Sequence, residues 1–507
     1  VKLVHLVPAG VVLLGLAAIG AFAQLDHPPA PAISAAAVAR QAAVTSAVRA
    51  CPPALGGGKG TVTLIAGPVR SVSSDRSGQA ELTWLPPVGA QLRPASAITA
   101  AGPAELSLLT VPAASSATKK GTAQPTGWSV TASGTMAQAM EAEVAQSSGL
   151  ANLRCGGPGS NIWFVGPGQQ NGAAQIQLDL MNVDSLAASV DISMITDAGP
   201  VQAGDDTGIT VPPHQTVTES LSSTAGNSSV VAIEVHTSSG RVAADVSEGP
   251  AHGSTTSWLP SAAEPATQLV IPGVPPSSSA AELFLAVPGT ADAKVNVVAI
   301  TPQGQYRPFG TQAIDLPGES ASSMALTPLG GTAAALEITS NVPVTATVLV
   351  PGSGVGSFTT ATAPITEQAV VAGNTSGSGF AASVVLSAPA AAARVRVTEI
   401  SAPAAKGTPS KGTAKETSAN ATSSSASQVV SVGAGRTLVV PVTAPPGVKH
   451  GTPFAIVITP LAGSGPVYAA RVETQGQSTV VSIIPAASAL TTISLPPVRD
   501  SYDAVSP

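Results

Sequence analysis

ASVDISMIT (188–196), AKVNVVAIT (293–301) and ARVRVTEIS (393–401) are three versions of one segment. In the first, Val190, Ile192 and Met194 alternate with Ser189, Asp191 and Ser193. A period of two is that of a β-strand with one face on a core and the other in water. The neighbouring segments recur in the same order. GITVPP (208–213), AIDLPG (313–318) and VVSVGA (429–434) come next, followed by VAIEVHT (231–237), AALEITS (334–340) and FAIVITP (454–460). RVAADV (241–246), PVTATV (343–348) and VYAARV (467–472) close each copy. Opening strands at 162–165, 269–271 and 368–371 bring the total to about seven strands per copy, with turn residues between them. That count predicts an all-β chain of tandem immunoglobulin-like β-sandwich modules. A ring or propeller of the same strands is the alternative. The expected modules are 161–262, 263–360 and 361–507, with Val480–Pro485 and Thr491–Leu495 as strands that complete the third. The third contains an insertion, 402–428, with almost no large apolar residue, which reads as a disordered surface loop.

Toward the N-terminus, LANLRCGGPGSNIWFVGPG (150–168) separates the repeats from a β-rich region, 51–160. Thr61–Ile65, Ala80–Trp84 and Leu106–Leu109 read there as strands, and Met136–Val144 as a short helix. Trp163 and Phe164 are the one Trp-Phe pair of the chain. They are expected to fill the seam between this region and the first repeat, or to anchor a partner. Trp258 lies in a Trp-Leu-Pro segment that, like Trp84-Leu85-Pro86, falls at a module junction and points to the same packing role. Cys51 and Cys155 are the only cysteines. In an exported protein they read as one disulfide closing a loop of about 100 residues, stabilising by roughly 4–5 kcal/mol. Two unrelated buried thiols are the other reading.

The first 50 residues have a different character. Lys2 precedes an apolar run, Leu3–Ala23, ending in Ala21-Phe22-Ala23. This predicts a signal peptide or membrane anchor over 1–24. A Pro/Ala-rich stalk over 25–50 follows, with a short helix expected between Ser34 and Ala50. The chain is therefore expected outside the cytoplasm, secreted or tethered by residues 3–23, with no other membrane contact.

Catalytic chemistry is sparse. The net charge of −6 in 507 residues offers no basic patch for nucleic acid. None of the six histidines has metal-ligand spacing, and no G-x-S-x-G or EF-hand run occurs. Gly56–Gly60 lacks the spacing of a phosphate loop. Asp205, Asp206, Glu141 and Glu143 read as solvated acids, because a glycosidase pair needs a cleft lined by aromatics, and aromatics are only 3% of the chain. No catalytic residue, metal or cofactor is expected.

The chain resembles the actinobacterial secreted proteins of domain-of-unknown-function family 5719. The resemblance rests on Cys51-Pro52, GLANLRCGGPGSNIWFVGPG (149–168), LDLMNVD (178–184), SWLP (257–260), LVIPGVP (269–275) and ITSNVPVTATV (338–348). It covers most of the chain from residue 51. Where the family has Asn-Pro after the first strand of each repeat, Asn182-Val183 and Val287-Pro288 stand here. The resemblance implies a cell-envelope location and repeated architecture, and adds no site. The expectation is a non-catalytic envelope scaffold or binding protein whose partners are envelope proteins or wall glycans. An envelope enzyme acting on wall glycans is the alternative.

Overall fold

The computed structural model describes residues 40–55, 60–67, 78–88, 96–99, 107–113, 127–146, 151–171, 174–201, 207–249, 256–276, 281–326, 329, 331–351, 356–374, 379–401, 425–448, 452–476 and 479–495. The segment expected to be a signal or anchor and most of the stalk lie outside these residues, as do Asp205, Asp206 and 402–424 of the insertion. Among the described residues no helix is long and apolar enough to cross a membrane. The chain forms two compact units, one of them comprising 44–491. The other joins 1–43 to 492–507, and in it β1 (Arg40–Ala43) pairs with the strand Thr492–Leu495.

The large unit contains four sandwiches. The N-terminal module consists of β2 (Ser46–Cys51), β3 (Gly60–Ala66), β4 (Gly78–Leu85), β5 (Ser96–Thr99), β6 (Ser107–Ala113), β7 (Gly127–Gly134), β8 (Glu141–Gln146) and β9 (Asn152–Arg154). The first repeat has β10 (Asn161–Pro167), β11 (Gln175–Met181), β12 (Ala188–Thr196), β13 (Gly199–Val201), β14 (Ile209–Val211), β15 (Thr216–Ser220), β16 (Val230–Ser239), β17 (Ala243–Gly249) and β18 (Ser257–Leu259). The second has β19 (Ala266–Val274), β20 (Ala281–Val287), β21 (Ala293–Thr301), β22 (Gly304–Tyr306), β23 (Ile314–Leu316), β24 (Ser320–Leu326), β25 (Ala334–Val350) and β26 (Ser357–Thr360). The third has β27 (Ala369–Asn374), β28 (Phe380–Ala388), β29 (Ala393–Ser401), β30 (Ser425–Val432), β31 (Arg436–Val442), β32 (Phe454–Pro460), β33 (Tyr468–Gln475) and β34 (Thr479–Pro485).

One strand order serves all four. The opening strand lies in one sheet, ordered β2-β7-β4-β5, β10-β16-β12-β13, β19-β25-β21-β22 and β27-β32-β29-β30. The closing strand lies in the other, ordered β6-β3-β8-β9, β15-β11-β17-β18, β24-β20-β25-β26 and β31-β28-β33-β34. In the second repeat the sixth and seventh strands are fused in β25, which passes from one sheet to the other. The N-terminal region, whose sequence lacks the repeated segments, is thus a fourth copy of the module.

Four local expectations change. Ser46–Cys51, within the Ala-rich stretch expected to be helical, is a strand because β7 offers its edge to it; pairing outweighs the small helix preference of Ala. Met136–Val144 is a 3-10 turn at Thr135–Ala137 followed by β8, which lies between β3 and β9. Of the two strands expected to complete the third repeat, Val480–Pro485 does so within β34, whereas Thr492–Leu495 pairs with β1. Residues 425–428, the end of the expected loop, already belong to β30.

The sandwiches also pack on one another, each opening-strand sheet against the closing-strand sheet of the next. Ala50 and Leu85 of the N-terminal module meet Met181, Val183 and Ala243 of the first repeat. The core of the first repeat continues into Phe284, Ala286, Leu349 and Phe358 of the second. That of the second continues into Val385, Ala470, Val472 and Ile483 of the third. Val370, Ala372, Ala455 and Val457 of the third meet Ile65 and Leu108 of the N-terminal module. The succession returns to its start, so the sandwiches close a ring. Strands of these sheets such as β3, β17, β20 and β27 are buried on both faces, which explains why Ala and Val dominate a chain with few aromatics.

Candidate functional site

The closing strands β9, β18, β26 and β34 converge where the four modules meet. They line a pocket through Asn152, Arg154, Trp258, Phe358, Ser482 and Ile484. Its volume is about 40 Å³, room for a water or two and far below the roughly 300–1,000 Å³ of a small-molecule site. Beside it Cys51, at the end of β2, is bonded to Cys155 after β9, with α-carbons 4.5 Å apart. The bond ties the two sheets of the N-terminal module together. A disulfide is compatible with an extracytoplasmic location.

Two ion clusters flank this region. Glu141 on β8 accepts hydrogen bonds from Arg154, including one of 2.8 Å from Nε, and from Arg49 at 3.4 Å. Burial raises the Glu141 pKa, but the two guanidinium groups outweigh it and hold the carboxyl below its ordinary value.

The second cluster lies deeper. Arg471 on β33 is 0% exposed. Its Nη2 donates to Glu143 Oε1 at 2.7 Å and to Ser482 Oγ at 3.1 Å. Its Nη1 donates to the Gly373 carbonyl at 3.0 Å and lies 2.8 Å from Glu473 Oε2. Glu143 Oε2 accepts the Gly373 N–H at 2.9 Å, and Glu473 Oε2 accepts from Asn152 Nδ2 at 2.9 Å. The approach favours glycine at 373, since a β-carbon there would lie 3.1 Å from the Glu143 carboxyl carbon and the buried side chain would have to give by a few tenths of an ångström. One arginine thus joins both sheets of the third repeat to the N-terminal module.

Strand register makes Arg471 unusual. The middle pair of the closing-strand sheet is Val62–Val144, Leu178–Val246 and Leu283–Val348 in the other modules, and Val384–Arg471 in the third repeat. A guanidinium therefore occupies a core valine position. The adjacent, seam-facing pair is Thr63–Glu143, Asp179–Asp245, Phe284–Thr347 and Val385–Ala470.

At the seam between the N-terminal module and the first repeat, Asp179 and Asp245 face each other across β11 and β17. Asp179 accepts from Thr218 Oγ1 at 2.6 Å, while Asp245 Oδ2 has no hydrogen-bond partner among the described residues. Burial pushes Asp179 up to about 6 against the Thr218 hydrogen bond. Burial, and then Asp179, push Asp245 well above the carboxylate range. Glu248, in the core beside Gly166, is raised by burial alone. These acids sit in closed packing and do not converge on a cavity. Among the described residues no group of three or more His, Cys, Asp or Glu is placed to hold a metal ion.

The aromatic pair divides its roles. Phe164 enters the core of the first repeat opposite Ile233. Alternation sends Trp163 to the other face of β10, the face that meets β20 and β25 of the second repeat. Neither fills the seam toward the N-terminal module. Trp258 does so, packed in one cluster with Cys51, Trp128, Leu153 and Cys155. Glu141 and Glu143, which read as solvated acids, are buried and paired. The buried cluster could not be found by motif, since Glu143 and Arg471 are 328 residues apart. The one local hint is Arg471 itself, a charge inside an apolar strand segment.

No curated protein and no solved structure matches the chain. A family model, described as a family of unknown function, matches residues 110–443, more than half of the chain. With the strand pattern of that stretch repeated through four modules, the chain belongs to the family of unknown function DUF5719.

Proposed function

We propose that this protein is a non-catalytic scaffold or binding protein of the cell envelope, outside the cytoplasm, acting on envelope proteins or wall glycans. The observation that carries this reading is the ring. Four sandwiches bury their sheets pairwise and leave turns and sheet edges as the surface available to a partner. Such a body presents binding surfaces on rigid elements, which limits the ordering cost of association. The Cys51–Cys155 bond and the apolar run Leu3–Ala23 favour the extracytoplasmic placement.

Complementation of a deletion strain by point-substituted versions, with protein level and folding monitored, tests the proposal. Binding spread over a surface implies that no single Asp, Glu, His or Ser substitution that leaves the ring intact abolishes the role. A folded, fully expressed protein altered at one polar residue that fails completely would overturn the scaffold and favour an enzyme acting on wall glycans.

A further inference from the structure

Three seams of the ring join modules that are consecutive in the chain. The fourth joins the third repeat to the N-terminal module, which are not consecutive in the chain, and the ring is closed there by packing, hydrogen bonds and ion pairs. Its ends meet where the Val44 N–H donates to the Thr491 carbonyl at 2.8 Å. This seam also holds Arg471, the one basic side chain among the described buried residues.

We propose that Glu143, Arg471 and Glu473 form a proton-gated clasp. It holds the ring shut while one carboxylate carries a proton, and lets the third repeat part from the N-terminal module when both are ionised.

The charge count and the sealing of the cluster carry the inference. One guanidinium serves two carboxylates that are each 2% exposed. With both ionised, the cluster keeps a net negative charge out of water, which is costly. With one proton the cluster is neutral and Arg471 still pairs with a carboxylate. The groups facing Glu143 are Arg471 and Glu473 from β33 and the Gly373 N–H from β27. Asn152 of β9 binds Glu473, and Ser482 of β34 binds Arg471. Arg154, directly across from Glu143 in the sheet, is turned to Glu141 and adds no second cation. Burial, opposed by Arg471 and reinforced by Glu473, pushes Glu143 up to about 7. In an opened seam Glu143 is hydrated and returns toward its ordinary value of 4.5. Closure is therefore strongest below that ordinary value. It weakens as pH rises to about 7 and is constant above.

Hydrogen exchange on the full-length oxidised protein at pH 5, 6, 7 and 8, corrected for intrinsic rates, tests this. For amides of β8 and β27, the equilibrium constant for opening should rise by about tenfold per pH unit up to neutrality and then level off. Amides of β20, at the seam between the first and second repeats, should lack this slope. Glu143→Gln keeps one acceptor oxygen, for Arg471 or for the Gly373 N–H but not both, and removes the ionisation, so its opening should be flat with pH. Equal slopes at the two seams, easier opening toward acid, or an unchanged slope in the Gln variant would each overturn the clasp. If the variant does not fold, the comparison of seams in the unsubstituted protein decides alone.

Discussion

Replacing Arg471 by valine, the residue at the matching position of the other three modules, should destabilise the third repeat despite restoring an apolar core. The substitution removes contacts to Glu143, Glu473, Ser482 and the Gly373 carbonyl, and leaves two carboxylates buried without a cation. Breaking a buried ion pair from one side costs about 3–5 kcal/mol. Valine recovers about 1.5 kcal/mol or more by burial, and the carboxylates soften the loss by taking up protons. A net loss of about 2–3 kcal/mol at pH 7.5 follows, shrinking toward pH 5 as the acids become neutral. Arg471→Val combined with Glu473→Val and Glu143→Gln removes the charges together. Val350 already stands in the second repeat where Glu473 stands in the third. The triple variant should return to within about 1 kcal/mol of the parent or exceed it, because apolar replacement of a buried ionic group is often neutral or stabilising. Urea unfolding under oxidising conditions, followed by hydrogen exchange of β28 and β33 to localise the transition, measures both. A single variant as stable as the parent at pH 7.5, or a triple variant no better than the single, would refute this electrostatic account.

Four further outcomes follow from the same packing. Cys155→Ser should cost up to about 4–5 kcal/mol, with increased exchange confined first to the N-terminal module, whose sheets the bond joins. Trp258→Ala should cost about 3–5 kcal/mol and loosen the N-terminal module from the first repeat. Trp163→Ala should act at the seam with the second repeat, so proteolysis with fragment mapping separates the two. Asp245→Asn should stabilise increasingly as pH rises. The native acid has a raised pKa, so its ionisation subtracts stability above the ordinary carboxylate range, whereas the amide has no such dependence. Melting temperatures of the two proteins at pH 5 and pH 8 should diverge at the higher value, and parallel curves would contradict the assignment.

Strand identity and the recurrence of three modules were legible in the residues, because both are local properties. The alternation in ASVDISMIT shows which side chains share a face, and the repeated segments mark copies without any knowledge of contacts. The disulfide was legible too, since two cysteines allow one pairing. The packing role of Trp258 was legible, whereas that of Trp163 was not, because adjacency to a boundary does not say which face of a strand meets which neighbour. Aligning RVAADV with VYAARV places Arg471 against Asp245, whereas strand pairing places it against Val246. A shift of one residue exchanges seam for core, and only cross-strand hydrogen bonding sets that register. The fourth sandwich was hidden because its strands share topology with the repeats but no recognisable sequence. Closure of the ring and the meeting of Glu143 with Arg471 arise only in the tertiary structure. Nothing local couples residues so far apart until four modules have packed and returned the last sheet to the first.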